Sequence, residues 1–188
     1  MIAKPKAVVQ AADLWAMTNE QRLSALIAGH PIDPSALDDT EYRGVSLGLP
    51  RLVERMTWQK FRKCFHRDGA RLRGWNVRLV QNGLEGDDQP MQRRGTPLTF
   101  GHYEVLPCAG YALPDDRGRT LRCSGLMLDY SKGKNPPHLK TLRDPIVAVN
   151  RDDPTLLLGW SYYEIGFMRG KTPSFFTLER SGPLTFIP

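Results

Sequence analysis

Cysteine is scarce in this chain of 188 residues: Cys64, Cys108 and Cys123 are an odd number, and no two stand in a CxxC spacing. Such a set carries neither a complete disulfide framework nor a zinc knuckle, so it predicts three reduced, mostly buried thiols packed as small hydrophobes. Long apolar runs are missing as well. No stretch approaches the ~18 consecutive apolar residues of a membrane-spanning helix, and Gln10 and Asp13 break the opening segment MIAKPKAVVQAADLWAM before it could act as a secretory signal. The expected compartment is the cytoplasm. The four histidines, His30, His66, His102 and His138, show no ligand spacing, so no metal site is expected, and no repeat or low-complexity tract is present.

What is there is globular. Hydrophobic residues make up 40% and charged residues 24%, which excludes a disordered tail, a coiled coil and a collagen-like rod. A chain of this length hides roughly 70% of its unfolded surface, enough for one core without staples. The formal charge is +6, and all of the excess sits in the middle: residues 51–94 carry eleven basic groups against five acidic ones. Arg51, Arg55, Lys60, Arg62, Lys63, Arg67, Arg71, Arg73, Arg78, Arg93 and Arg94 are either a face for an anionic partner or ordinary solvated strand residues.

Thr18 stands three residues before Gln21 in a capping-box spacing, and Leu23, Leu26 and Ile27 follow at helical intervals until Gly29 and Pro31. This predicts a helix, with Leu14 and Trp15 as an earlier extension, and HPIDPSALDD as a connection. Residues 1–40 therefore read as an N-terminal helix and connection, and 41–188 as a single β domain. WQKFRKCFH suits a helix or a strand; the Asp68-Gly69 hairpin signal and the alternation of LRGWNVRLVQ favour a strand. PLTFGHYEVLP, LRCSGLMLDY, PIVAVN, TLLLGWSYYEI and PSFFTLER follow, each bounded by turn-forming residues. Seven or eight strands with short polar connections pair antiparallel and must close or stack to protect their edges. The expectation is a mainly β fold: an antiparallel barrel with the N-terminal helix over one end.

Several strings carry a resemblance: Tyr42-Arg43-Gly44, Gly74-Trp75-Asn76 with Gln81-Asn82-Gly83, Leu128-Asp129-Tyr130 with Asn135, Leu142-Arg143-Asp144, Leu156 to Gly159, and Ser174-Phe175-Phe176 through Leu178-Glu179-Arg180. Over about residues 41–180 the chain resembles a group of uncharacterised bacterial lipocalin-like proteins and is distantly similar to the GXWXG family, although the GxWxG string itself is absent. The resemblance implies a small calycin-type barrel and supplies no activity or catalytic residues.

An eight-stranded barrel holds either packed side chains or one small ligand. The expected guest is a small hydrophobic or amphipathic molecule, with Trp75, Tyr103, Trp160 and Tyr162 as lining and Arg73 or Arg78 as anion partner. Phe100 and Phe175 or Phe176 are further aromatic candidates, and strand alternation allows only one of the last two to face inward. His102 and Glu104 share a strand face and form a candidate acid–base pair for an isomerase, lyase or hydrolase. Nucleic acid is disfavoured, since no helix-turn-helix, RRM or zinc module is present; the case for it rests on a pI of about 9.4 and on Arg71, Arg73 and Trp75 sharing a face. Tyr130 and Lys134 match YxxxK, and Ser131 and Lys134 match SxxK, but the companion motifs of both chemistries are missing. The loop SKGKNPPHLK is long enough to cover a barrel mouth, with Lys132, Lys134 and His138 at its rim. No cofactor is indicated.

Overall fold

The computed structural model of the chain describes residues 8–48, 59–115 and 121–188. Arg51, Arg55 and Trp58 fall outside them. Helices α1 (Ala11–Ala16) and α2 (Asn19–Ala28) open the described chain, and α2 starts on the expected capping box: the Gln21 N–H donates to Thr18 Oγ1 while the Thr18 N–H donates to Gln21 Oε1.

Ten strands follow among the described residues: β1 (Thr40–Leu47), β2 (Lys60–Asp68), β3 (Arg71–Arg78), the short β4 (Gln92–Arg93) and β5 (Thr96–Pro97), β6 (Thr99–Pro107), β7 (Leu126–Asp129), β8 (Leu142–Asn150), β9 (Asp153–Ile165) and β10 (Met168–Pro183). Eight of them close an antiparallel barrel in the order β1-β10-β9-β8-β7-β6-β3-β2, and β4 and β5 form a separate two-stranded excursion. Closure leaves the barrel strands without a free edge. The Asp68-Gly69 signal works as expected: Asp68 pairs with Arg71 across Gly69-Ala70, with Gly69 in the left-handed region at φ 58°.

The interior is filled at one end. Tyr42, Phe65, Leu72, Tyr103, Val105, Leu128, Ile146, Ala148, Leu157 and Leu178 form one buried cluster, which Ile32 and Leu37 from the α2–β1 connection complete. The helices do not plug the barrel. Leu14 and Leu26 join Val45, Met127, Val147, Leu158, Trp160, Tyr162 and Phe175 in a second cluster on the outside of the wall, where α2 lies against β8, β9 and β10. A helix whose apolar stripe meets an apolar outer strand face packs sideways, and that replaces the expected end cap.

Three aromatic rings lie across glycines. Gly44 pairs with Phe61, Gly74 with Tyr103 and Gly159 with Phe176, and in each pair a Cβ on the glycine would run into the partner's ring. Each ring can therefore fold over the neighbouring backbone into the barrel, which a side chain there would prevent.

One expectation about cysteine fails. Cys108 and Cys123 form a disulfide across the base of the β6–β7 connection, and only Cys64 is free, buried on the outer face of the wall. A sequence separation of 15 without a CxxC spacing hid the pair; the chain brings them together because Cys108 N–H donates to the Gly125 carbonyl. Thiol titration of the native protein is expected to find no reactive group, and titration after unfolding without reductant to find one per chain. Three would show that the bridge does not form.

Candidate functional site

Above the filled half, the barrel contains a cavity of about 480 Å³ whose wall includes Ser46, Phe61, Phe100, Ser161, Ser174 and Phe176, with Leu139, Leu142 and Tyr163 nearer the mouth. Of the loop SKGKNPPHLK, Leu139 in the helical turn Pro137–Lys140 lines this cavity, whereas the suggested rim residues Lys132, Lys134 and His138 do not. The polar groups of this cavity, Lys63, Asn76, Tyr130 and Asp144, converge from β2, β3, the turn after β7, and β8.

Lys63 is the centre of this floor. Its Nζ donates to Asn76 Oδ1 at 3.0 Å, to Tyr130 Oη at 2.7 Å and to Asp144 Oδ2 at 3.0 Å, which uses all three ammonium protons. Tyr130 Oη donates in turn to Asp144 Oδ2 at 2.8 Å, and Asn76 is fixed by donating its amide to the Gly101 carbonyl at 3.1 Å. Around the ammonium stand the rings of Phe61, Tyr103, Tyr130 and Phe176, with centroids 5.0 to 5.6 Å from Nζ. Three of these four rings are the ones seated on glycines. Ring faces attract a cation and supply part of what water would have given it.

Burial lowers the Lys63 pKa from the ordinary lysine value, and the charge of Asp144 and its hydrogen bond work against that fall. The Tyr130 phenol is held well above its usual range, first by burial and then by the negative charge of Asp144, so it remains a neutral donor. Asp144 Oδ2 takes both donors, whereas Asp144 Oδ1, also buried, has no hydrogen-bond partner among the described residues. The floor is thus a neutralised ion pair with one open acceptor.

The residues expected at the site are divided by the wall. Tyr103 faces inward, in the cluster below the floor, with its hydroxyl donating to the Cys64 carbonyl at 3.0 Å. Strand alternation puts Arg78 on the inner face with Gly74 and Asn76. Trp160 and Tyr162 lie outside, in the cluster under the helices, and Trp75 is buried on the outer face with Cys64, Val77 and Leu184. None of these three lines the cavity. Of the consecutive phenylalanines, Phe176 lines it while Phe175 stacks on Trp160 outside, ring centroids 5.7 Å apart. Phe100 and Tyr103 both face inward despite opposite parity, because the β3–β6 register shifts between Gly74 and Asn76 and Gly101 sits at φ 55°.

Arg73, His102 and Glu104 line a different cleft, on the outer surface, with Arg71, Lys132 and Lys134. The His102 pKa is lowered, by burial first and then by the positive charges of Arg73 and Lys134. The middle basic stretch does not form one face: Lys63 points inward, Lys60 and Arg62 hold the 86–88 segment outside, and Arg67 and Arg73 pair with Asp38 and Asp68. Arg73 covers the Trp75 ring at 5.7 Å, so the surface for stacking bases is already occupied from within the chain.

Lys63, Asn76 and Asp144 are not site candidates from the sequence, and Tyr130 stands out there only in a resemblance string and in a YxxxK match that the fold does not use. A signal was present: Phe61-x-Lys63-x-Phe65 and Leu142-x-Asp144-x-Ile146 each set a charged residue in the apolar parity of a strand.

Two predictions follow from this geometry. Lys63→Met or Asp144→Leu alone leaves a buried charge without its partner and is expected to cost about 3–5 kcal/mol in urea unfolding, whereas the double variant recovers most of the loss. Additive losses would show that the two groups are not coupled. For His102, the folded pKa lies below the 6.5 of the unfolded chain, so between the two values the unfolded state binds more protons and stability is lost as pH falls through that window. NMR titration of the imidazole should find a midpoint below 6.5 that rises in the Lys134→Ala variant.

Compared with protein-family models, with curated proteins and with solved structures, the chain matches none.

Proposed function

We propose that this barrel is a binding protein that takes a small hydrophobic or amphipathic molecule into its cavity, with the apolar body against Phe61, Phe100, Leu142 and Phe176 and the polar end at the Lys63–Asp144 floor. The reading rests on one observation: a cavity of about 480 Å³, within the size range of small-molecule sites, ends on a few convergent polar groups. The charge state of that floor narrows the guest. Lys63 already spends its three donors on protein acceptors, so it offers little to a carboxylate, and the carboxylate of Asp144 repels one. A neutral head group that donates a hydrogen bond, a hydroxyl or an amide N–H, supplies what Asp144 Oδ1 lacks. The likeness to lipocalin-like bacterial proteins belongs to the same reading. The Cys108–Cys123 bridge favours an oxidising compartment over the cytoplasm expected from the sequence.

The outer cleft supports a second reading. Arg71, Arg73, Lys132 and Lys134 gather there around His102 with Glu104 in the lining and Asp68 paired to Arg73, and this excess of cations suits a small anion more than proton transfer between His102 and Glu104.

Binding is tested by the fluorescence of N-phenyl-1-naphthylamine, an uncharged apolar probe, and by its displacement. Decanol is expected to displace the probe at roughly tenfold lower concentration than decanoate, about the worth of one hydrogen bond to a charged group. Ser161→Trp, which fills the cavity, is expected to abolish uptake. In a Trp58→Phe background, intrinsic tryptophan fluorescence should barely respond, since Trp15, Trp75 and Trp160 lie on the far side of the wall. Failure of the probe to enter the wild-type protein would end the reading.

A further inference from the structure

Strands β9 and β10 join through the tight turn Gly166-Phe167, with Met168 paired to Ile165 and Gly166 in the left-handed region at φ 61°. At this tip the usual placement of apolar residues is inverted. Phe167 is 91% exposed, Met168 60%, Ile165 58% and Tyr163 46%, so four large apolar side chains crowd one end of one hairpin. Single exposed apolar residues are ordinary; a contiguous group of them marks an interaction site.

The surroundings are cationic. Arg169 and Lys171 follow the turn on β10, and the Glu164 N–H donates to the Thr141 carbonyl, which brings Lys140 and the start of β8 beside the hairpin. Glu164, the carboxylate of the tip, is bracketed by Arg169 at 3.3 Å and Arg143 at 3.6 Å. Lys140, Arg169 and Lys171 are thus exposed around Glu164, the one carboxylate among the described residues of the tip, which Arg143 and Arg169 already pair. The position is specific too: Tyr163 belongs both to the exposed group and to the cavity wall, and Leu142, its partner across the strands, also lines the cavity.

We infer that the β9–β10 tip docks the open end of the barrel onto an anionic lipid surface, with Ile165, Phe167 and Met168 entering the acyl boundary and Lys140, Arg169 and Lys171 against the headgroups. A projecting turn with apolar residues at its point and cations behind them matches the layering of a bilayer interface. A protein partner fits less well, because a stable interface covers about 800 Å² on each side, more than the point of one hairpin presents. Docked this way, the mouth opens toward the phase in which apolar molecules reside. This surface does not depend on the cavity being occupied.

Flotation with vesicles of phosphatidylcholine alone, and of phosphatidylcholine mixed with phosphatidylglycerol, tests the inference. The wild-type protein is expected to float with the mixed vesicles and much less with phosphatidylcholine, and added salt should weaken the association. Phe167→Ser with Met168→Ser should reduce binding by roughly tenfold or more, and Lys140→Glu with Lys171→Glu should abolish the preference for phosphatidylglycerol. All four positions are exposed, so circular dichroism and uptake of N-phenyl-1-naphthylamine in solution should be unchanged. Wild-type protein that stays at the bottom of the gradient, or apolar-tip variants that float equally well, would overturn the inference. So would a concentration-dependent dimer lost in Phe167→Ser, which would make a second copy the occupant. Protein that floats as described while excluding the probe would uphold the tip and overturn the cavity reading alone.

Discussion

A lysine ammonium with no access to water is the constraint around which the barrel is arranged. Removing such a charge from water costs several kcal/mol even after relaxation, and a lone acidic partner rarely repays it. Lys63 has more than a partner: three acceptors at 2.7 to 3.0 Å and four aromatic rings within 5.6 Å. The rings reach it because Phe61, Tyr103 and Phe176 each lie over a glycine on the neighbouring strand. The choice of glycine at positions 44, 74 and 159 and the survival of a charge at 63 are thus one physical fact seen from two places.

The same arrangement divides the interior. Below the ion pair the barrel is packed with aliphatic and tyrosine side chains, and Ile32 and Leu37 close it; above, where β9 and β10 run on toward their turn, the walls carry serine and threonine between the aromatics and space remains. An apolar plug at this level would leave no group to orient a guest. A free cation would select anions. A paired lysine and aspartate do neither, and the one buried oxygen of this pair left without a partner among the described residues gives the floor a direction without a net charge.

The fold was legible because its signals are local. Turn dipeptides such as Asp68-Gly69 and alternation within each segment located seven of the eight barrel strands, all but β1, and closure followed from their number. Orientation was not legible, because alternation decides inside from outside only when one face is wet. Here much of the outer face is covered as well, by α1, α2 and the C-terminal tail, so Trp75 and Trp160 look as apolar as any lining residue. A register shift compounds this: the one between Gly74 and Asn76 changes which parity of β6 faces inward. The disulfide and the Lys63–Asp144 pair were hidden for a third reason. The bridge carries no recognised spacing within the β6–β7 connection, and the ion pair joins β2 to β8, which only the closed barrel brings together across a sequence separation of 81.

The long β9–β10 hairpin connects these features. Its lower half is wall, with Leu157 and Leu178 in the packed core; its middle lines the cavity through Ser161, Ser174 and Phe176; its end leaves the barrel altogether and exposes Ile165, Phe167 and Met168. Burial therefore decreases along one continuous element from the closed end to the tip. Strand pairing between β9 and β10 persists past the point where packing stops, from Glu179–Leu156 to Met168–Ile165, with one irregularity at 171–175. Backbone hydrogen bonds hold an extended ribbon in shape, but they give no reason for its tip to be apolar in water. Solubility alone would favour charged and small residues at such a turn. That the tip instead carries a phenylalanine with almost nothing around it, beside the entrance to the one half of the barrel that is not filled, argues that the water-facing state is only one of the environments this end of the molecule is built to meet.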